Sequence, residues 1–121
     1  MGPIAGCIWI RVRLRNPWKN LEWEGPALID TGATRTSIPE ELAEKLELEK
    51  LRDVEVVTAT GPVKAWLAYV EIVLNDDRTI ERAVILKGLR HVVIGVLTLE
   101  SLDLRADPRT GKLEKSEILL L

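Results

Sequence analysis

The chain has little of what most metal and redox sites are built from. It holds one cysteine, Cys7, and one histidine, His91, among 121 residues. A lone thiol excludes an internal disulfide and any multi-thiolate metal site, and a lone imidazole excludes a histidine-rich one. Both residues are expected to pack or to sit at the surface rather than to react, since free cysteine behaves as a small hydrophobe. A large excess of charge of one sign is missing too. With 17 basic against 19 acidic side chains the net charge is −2, which predicts no strong pull towards nucleic acid or anionic lipid. No apolar run approaches the ~20 residues a membrane-spanning helix needs. The N-terminus lacks the charged start and long apolar stretch of a secretory signal. Met1-Gly2 opens like a myristoylation site, but Gly6 stands where Ser or Thr is required. These absences point to a cytoplasmic protein with no cofactor, no nucleic-acid partner and no membrane partner.

What is present reads as one globular domain over residues 1–121, with 46% apolar and 30% charged residues, large enough for one core and too small for two. Ile8 to Arg15 alternates: Ile10, Val12 and Leu14 point one way, Arg11, Arg13 and Arg15 the other, as in a half-buried strand. Asn16-Pro17 breaks it. A short strand over Leu21 to Glu24 ends at Gly25-Pro26, and Ala27 to Ile29 forms a separate buried strand. Ser37-Ile38-Pro39-Glu40 reads as a helix start, with Ser37 as cap and Glu40 as the capping-box acid, opening a helix from Pro39 to about Glu47. Val54 to Thr60 and Val63 to Leu74 make a hairpin with its tip at Thr60-Gly61-Pro62. After a turn at Asn75-Asp76-Asp77 comes a strand over Thr79 to Leu86, then a fully buried one at Val92-Val93-Ile94, stopped by Gly95. Thr98 to Leu104 is expected to form one or two helical turns with Leu99 and Leu102 inward. A turn at Asp107 to Gly111 joins short strands around Leu104 and Leu113. Many short strands and one or two short helices imply a mainly β fold, a small closed or partly closed barrel.

One stretch stands out for chemistry. Ala27-Leu28-Ile29 delivers a single carboxylate, Asp30, into a small, almost uncharged turn, Thr31-Gly32-Ala33-Thr34. Gly32 allows a sharp bend and a close approach of ligand or backbone. Asp, Thr and Gly are also ordinary turn residues, so the triplet gains meaning only from its neighbours. Those neighbours repeat weakly. An apolar strand runs into a glycine turn and then a helix at Ala27 to Leu46, and again at Val92 to Leu102, with an Asp only in the first copy.

In these residues the chain resembles the retropepsin-like aspartic proteases, the single-lobe type related to retroviral proteases and their cellular and prokaryotic relatives. The matching features are Leu28-Ile29-Asp30-Thr31-Gly32-Ala33-Thr34, Ile38-Pro39, the hairpin around Gly61, and Val93-Ile94-Gly95 followed by Leu97, so the resemblance runs from Ile8 to Gly111. It implies an acid-protease barrel and an aspartic endopeptidase acting on a peptide or protein substrate. It also implies a homodimer, because the chemistry takes two carboxylates and this chain has one Asp-Thr-Gly. Two Asp30 side chains would meet on a two-fold axis and hold one proton between them, since neighbouring acids resist double ionisation. The ionised one would activate a water and the protonated one would hydrogen-bond the scissile carbonyl. By the same resemblance, Thr31 would bond across the pair, Gly32 would keep its N–H near the carboxylates, and Ala33 would line the cleft. Thr60, Gly61 and Pro62 would form the tip of a flap, and Ile94 and Gly95 would support the active-site loop from beneath.

The flap tip lacks the glycine-rich sequence of the viral enzymes. Arg35, just past the turn, either faces solvent or biases the cleft towards acidic substrates. Trp9, Trp18, Trp23 and Trp66 are expected in the core or the cleft wall. Ile118 to Leu121 is too apolar to stay unpartnered, and by the resemblance it belongs to the dimer interface. Two other readings stay open: a non-catalytic peptide-binding or assembly module of the same fold, and an unrelated small barrel with an incidental turn.

Overall fold

The computed structural model describes residues 8–107 and 109–120. Cys7, together with the Met1-Gly2 start and Gly6, lies outside them, as do Pro108 and Leu121. Among the described residues, nine strands and two short helices follow one another as β1 (Ile8–Arg15), β2 (Glu22–Ile29), β3 (Ser37–Pro39), α1 (Glu40–Lys45), β4 (Arg52–Thr58), β5 (Gly61–Leu74), β6 (Asp77–Leu86), β7 (Val92–Ile94), α2 (Val96–Ser101), β8 (Leu104–Asp107) and β9 (Lys112–Lys115). Seven strands form one sheet in the order β1-β2-β7-β3-β6-β5-β4, and a further pairing of β1 with β5 closes six of them into a barrel. The closing contacts are Arg13↔Val73, Leu14↔Ile72 and Arg15↔Glu71. Closure leaves those six strands without a free edge there. β4 runs along the same edge of β5 beyond the closing contacts, from Arg52↔Leu67 to Thr58↔Gly61.

The core follows from strand periodicity. Val12 and Leu14 of β1 are buried, as the alternation predicts, and Ile8 joins them. They meet Ala27 and Ile29 of β2, Val70 and Ile72 of β5, Ile85 of β6, and Val92 and Ile94 of β7. A second, smaller apolar cluster of Ala65, Leu67 and Val84, with Val54, Val56 and Leu86 against it, sits where β4 joins the barrel. β7 falls where expected, with Val92 and Ile94 buried and Val93 half-buried. The second helix is Val96–Ser101 rather than Thr98 to Leu104: Leu102 caps its C-terminus and Leu104 opens β8, while Leu99 and Leu102 are both buried as expected.

Several local expectations are corrected. β2 runs unbroken through Gly25-Pro26. A side chain at residue 25 would strike the Trp23 indole, which lies across the glycine. Pro26 comes one residue before β2 begins to pair with β7 at Ala27↔Val92, so one edge of the strand is still free where the proline lacks its donor. Ser37 caps no helix. Ser37-Ile38-Pro39 is instead a strand paired with both β6 and β7, Pro39 is the N-cap, and no side chain caps α1. Tertiary pairing outweighs the local capping signal. Glu40 accepts a hydrogen bond from the Trp66 indole N–H at 3.0 Å, and Glu40 and Glu41 still place negative charge on the first helical turn. The helix ends at Lys45, short of Glu47.

The hairpin forms with its turn at Ala59-Thr60, since Thr58 pairs with Gly61 and Val57 with Pro62. Gly61 and Pro62 belong to β5, and Gly61 takes a φ of 117°. Asn16 does more than break a strand. Its buried amide donates to Leu46 O and Glu47 O, and its carbonyl accepts from the N–H groups of Trp18 and Lys19. It thereby ties the β1–β2 turn to the end of α1. Of the tryptophans, Trp23 and Trp66 are half-buried against the core. Trp9 and Trp18 are surface residues instead, edge-on to His91 and Tyr69 respectively. His91 is exposed. Ile118, Leu119 and Leu120 are exposed and in no regular element. Among the described residues no helix is long and apolar enough to cross a membrane.

Candidate active site

β2 and β7 run parallel side by side, and each ends in a turn on the same side of the barrel. β2 delivers Asp30; β7 delivers Gly95. The backbones are joined there, since the Asp30 N–H donates to Ile94 O at 3.0 Å. The chain from Asp30 to Thr36 then folds over the start of α2. Ala33 N–H closes the turn onto Asp30 O at 3.1 Å, and Gly32 N–H donates to the Asp30 carboxylate oxygen Oδ1 at 2.9 Å. Val96 N–H and Leu97 N–H donate to Ala33 O and Thr34 O at 2.8 and 3.0 Å. These bonds fix the loop that carries the carboxylate to rigid elements on both sides.

Asp30, Thr31 and Gly32 are all exposed, and Ala33 is half-buried. The carboxylate therefore stands on an open surface of the single chain. The space around Gly32 is tight, because a Cβ there would lie 3.2 Å from Asp30 Oδ1. Gly95 is packed harder. A Cβ would come within 2.5 Å of the Arg35 carbonyl carbon and 2.8 Å of Thr34 O. Ile94 and Gly95 thus lie directly against the loop. The Arg35 guanidinium is half-buried and donates to Arg82 O at 3.5 Å. Thr60, Gly61 and Pro62 lie at the far end of the β4–β5 hairpin. A groove of about 510 Å³ between α1 and the 88–92 segment, lined by Trp23, Leu42, Leu89 and Arg90, includes none of the loop from Asp30 to Thr36.

Three residues to which the sequence reading gave no role at the site, Thr36, Thr98 and Glu81, complete the loop's footing. Thr36 and Thr98 are buried polar side chains whose hydroxyls lie 2.6 Å apart. Thr36 Oγ1 also accepts the Gly95 N–H at 3.1 Å, and Thr98 donates to Glu81 Oε1 at 2.8 Å. Their only sequence signals are a threonine inside the apolar stretch Val96-Leu97-Thr98-Leu99 and another directly before a buried strand.

The family model described as "gag-polyprotein putative aspartyl protease" matches residues 22–101. That span, about two-thirds of the chain, holds both β2 and β7, the loop from Asp30 to Thr36 and Gly95. A search among curated proteins finds no match. Among solved structures, the EIAV protease complexed with the inhibitor HBY-793 is similar, with a TM-score of 0.64 over 99% of each chain at 14% identity. At that identity the likeness is one of fold: the barrel and its two short helices are those of a retroviral protease.

Proposed function

Because the chain belongs to the gag-polyprotein aspartyl protease family, we propose that it is an aspartic endopeptidase that works as a homodimer. The observation that carries this reading is the setting of Asp30. Its carboxylate accepts the Gly32 N–H, its own backbone N–H donates to the Ile94 carbonyl, and it stands exposed at the end of a rigid strand. One chain offers one such acid on an open surface. A second copy related by a two-fold axis supplies the other acid and converts the surface into a cleft.

In the dimer the two Asp30 carboxyls share one proton. The ionised one takes a proton from a water lying between them as that water attacks the scissile carbonyl carbon. The protonated one donates to the carbonyl oxygen, giving a tetrahedral diol, and proton return to the amine nitrogen releases two peptides. Thr31 from each copy holds the two loops together across the axis. Substrate lies extended, with its backbone paired to strand edges of the cleft beneath the β4–β5 hairpin.

Two measurements test this together. Sedimentation velocity gives the mass in solution, and a peptide library incubated with the protein and analysed by mass spectrometry gives cleavage. The expected result is a dimer that cuts internal peptide bonds, with Asp30→Asn lowering turnover at least about a thousandfold, as for other essential catalytic groups. A folded protein that stays monomeric at every concentration, or an Asp30→Asn variant that cuts as well as the wild type, overturns it. A dimer that binds extended peptides and cuts none is the assembly module of the same fold.

A further inference from the structure

We propose that Glu81 is a positioning residue for Asp30, acting through the hydroxyls of Thr98 and Thr36 on the Gly95 backbone. The proposal rests on the protease reading for its kinetic consequence, though its geometry stands without it. Four groups lie in line. The Gly95 N–H donates to Thr36 Oγ1 at 3.1 Å, Thr36 and Thr98 Oγ1 are 2.6 Å apart, and Thr98 Oγ1 donates to Glu81 Oε1 at 2.8 Å. The chain crosses three elements, since Thr36 precedes β3, Thr98 is in α2 and Glu81 is on β6 opposite Val70 of β5.

The carboxylate sets the direction of every bond. An ionised carboxyl only accepts, so the single Thr98 proton goes to Glu81. Thr98 then has no proton left for Thr36, and Thr36 must donate to Thr98. That leaves a Thr36 lone pair for the Gly95 N–H. One acceptor at the end thus removes the two-way disorder a pair of hydroxyls otherwise has, and charge assistance polarises each link. The anchored group is Gly95, whose Cα lies against the Thr34–Arg35 backbone. Gly95 directly follows Ile94, whose carbonyl holds the Asp30 N–H.

The second oxygen of Glu81, Oε2, is buried with no hydrogen-bond partner among the described residues. Leaving such an oxygen buried and unpaired costs stability. Glutamine in its place keeps an acceptor for Thr98 but sets an amide donor where Oε2 has no partner, so it supports the loop only in part.

The test uses Glu81→Leu, Thr98→Val and Thr98→Ser in the full chain, with Glu114→Gln, a surface ion-pair residue of β9, as the control. The first readout is kcat and KM on the peptide best cut by the wild type, per titrated active site. Glu81→Leu and Thr98→Val are expected to lower kcat about 10- to 100-fold with KM within about threefold, the scale of a loop displaced by under an ångström. Thr98→Ser, which keeps the hydroxyl, stays within about threefold of wild type. The second readout is hydrogen exchange of the Gly95 amide by NMR, which needs no turnover. It is expected to speed at least about tenfold in the Leu and Val variants and not in the Ser variant. A Thr98→Val protein with an unchanged Gly95 amide, or with full kcat and only a lower melting temperature, overturns the proposal. The Thr98 pair decides even where Glu81→Leu does not fold. A wild type that cuts no peptide sinks the protease reading alone, and the Gly95 amide still decides the role of Glu81.

Discussion

Replacing Gly95 by alanine tests how closely the two turns are packed. Its φ of −94° and ψ of 175° are open to any residue, so the whole penalty comes from contact. The added Cβ would sit 2.5 Å from the Arg35 carbonyl carbon and 2.6 Å from its oxygen, against 3.4 Å for ordinary contact, so the loop must retreat by about 0.9 Å. The struck atoms are backbone and the methyl is fixed to Cα, so neither side can rotate away. Forcing a methyl into packed structure costs about 1–3 kcal/mol. The same retreat stretches the bonds from Val96 N–H to Ala33 O and from Leu97 N–H to Thr34 O, each worth about 1 kcal/mol. The expected loss is about 2–4 kcal/mol, a large share of the stability of a small domain. Urea unfolding at one fixed protein concentration measures it, since a dimer's midpoint moves with concentration. A Gly95→Ala protein within about 0.5 kcal/mol of wild type, below the range for overpacking, would refute the argument.

Gly32→Ala should separate stability from activity. Its Cβ meets only the Asp30 carboxylate, at 3.2 Å, so unfolding should shift by less than about 1 kcal/mol while peptide turnover falls at least about tenfold. Asn16→Ala strands Leu46 O, Glu47 O and two turn amides; a loss of about 2–4 kcal/mol in urea unfolding is expected, and a neutral result would show that the turn is not tied to α1. Truncation after Ser116 keeps the Ser116 N–H bond to Asp103 O but removes the exposed Ile118, Leu119 and Leu120. With about 1.5–3 kcal/mol per buried side chain of this size, the dissociation constant of the proposed dimer should rise at least about a hundredfold in sedimentation equilibrium; an unchanged constant removes the tail from the proposed interface.

The parts of the fold legible in the sequence are those where one strong pattern acts alone. β1 shows its alternation, β7 its unbroken apolar run, and the turn between β8 and β9 its Asp and Gly. Where two signals compete, the local one loses. Ser37 and Glu40 spell a helix cap, yet the free edges of β6 and β7 claim the same backbone. Gly25-Pro26 spells a break, yet Trp23 covers the glycine and the proline sits where an edge is open. The hairpin tip moves because Thr58↔Gly61 is set by cross-strand register, which no single segment encodes. The Asp30 turn was visible because its atoms are neighbours in the chain. Glu81, Thr98 and Thr36 were not, because 62 positions separate the two threonines that meet and each alone is an unremarked polar residue.

The barrel hoop closes without β4, and this divides the molecule mechanically. Gly61 to Ala65 of β5 pair only with β4, whereas β5 from Trp66 onward is held by β6. The outer half of the hairpin is therefore a cantilever built into a rigid wall. Its root is the small knot of Ala65, Leu67 and Val84, separate from the main core. Bending on the tip side of that root, over Gly61 to Ala65, breaks no pairing between β5 and β6. Shaving Val84 to alanine would loosen the beam at its mounting and leave the wall standing.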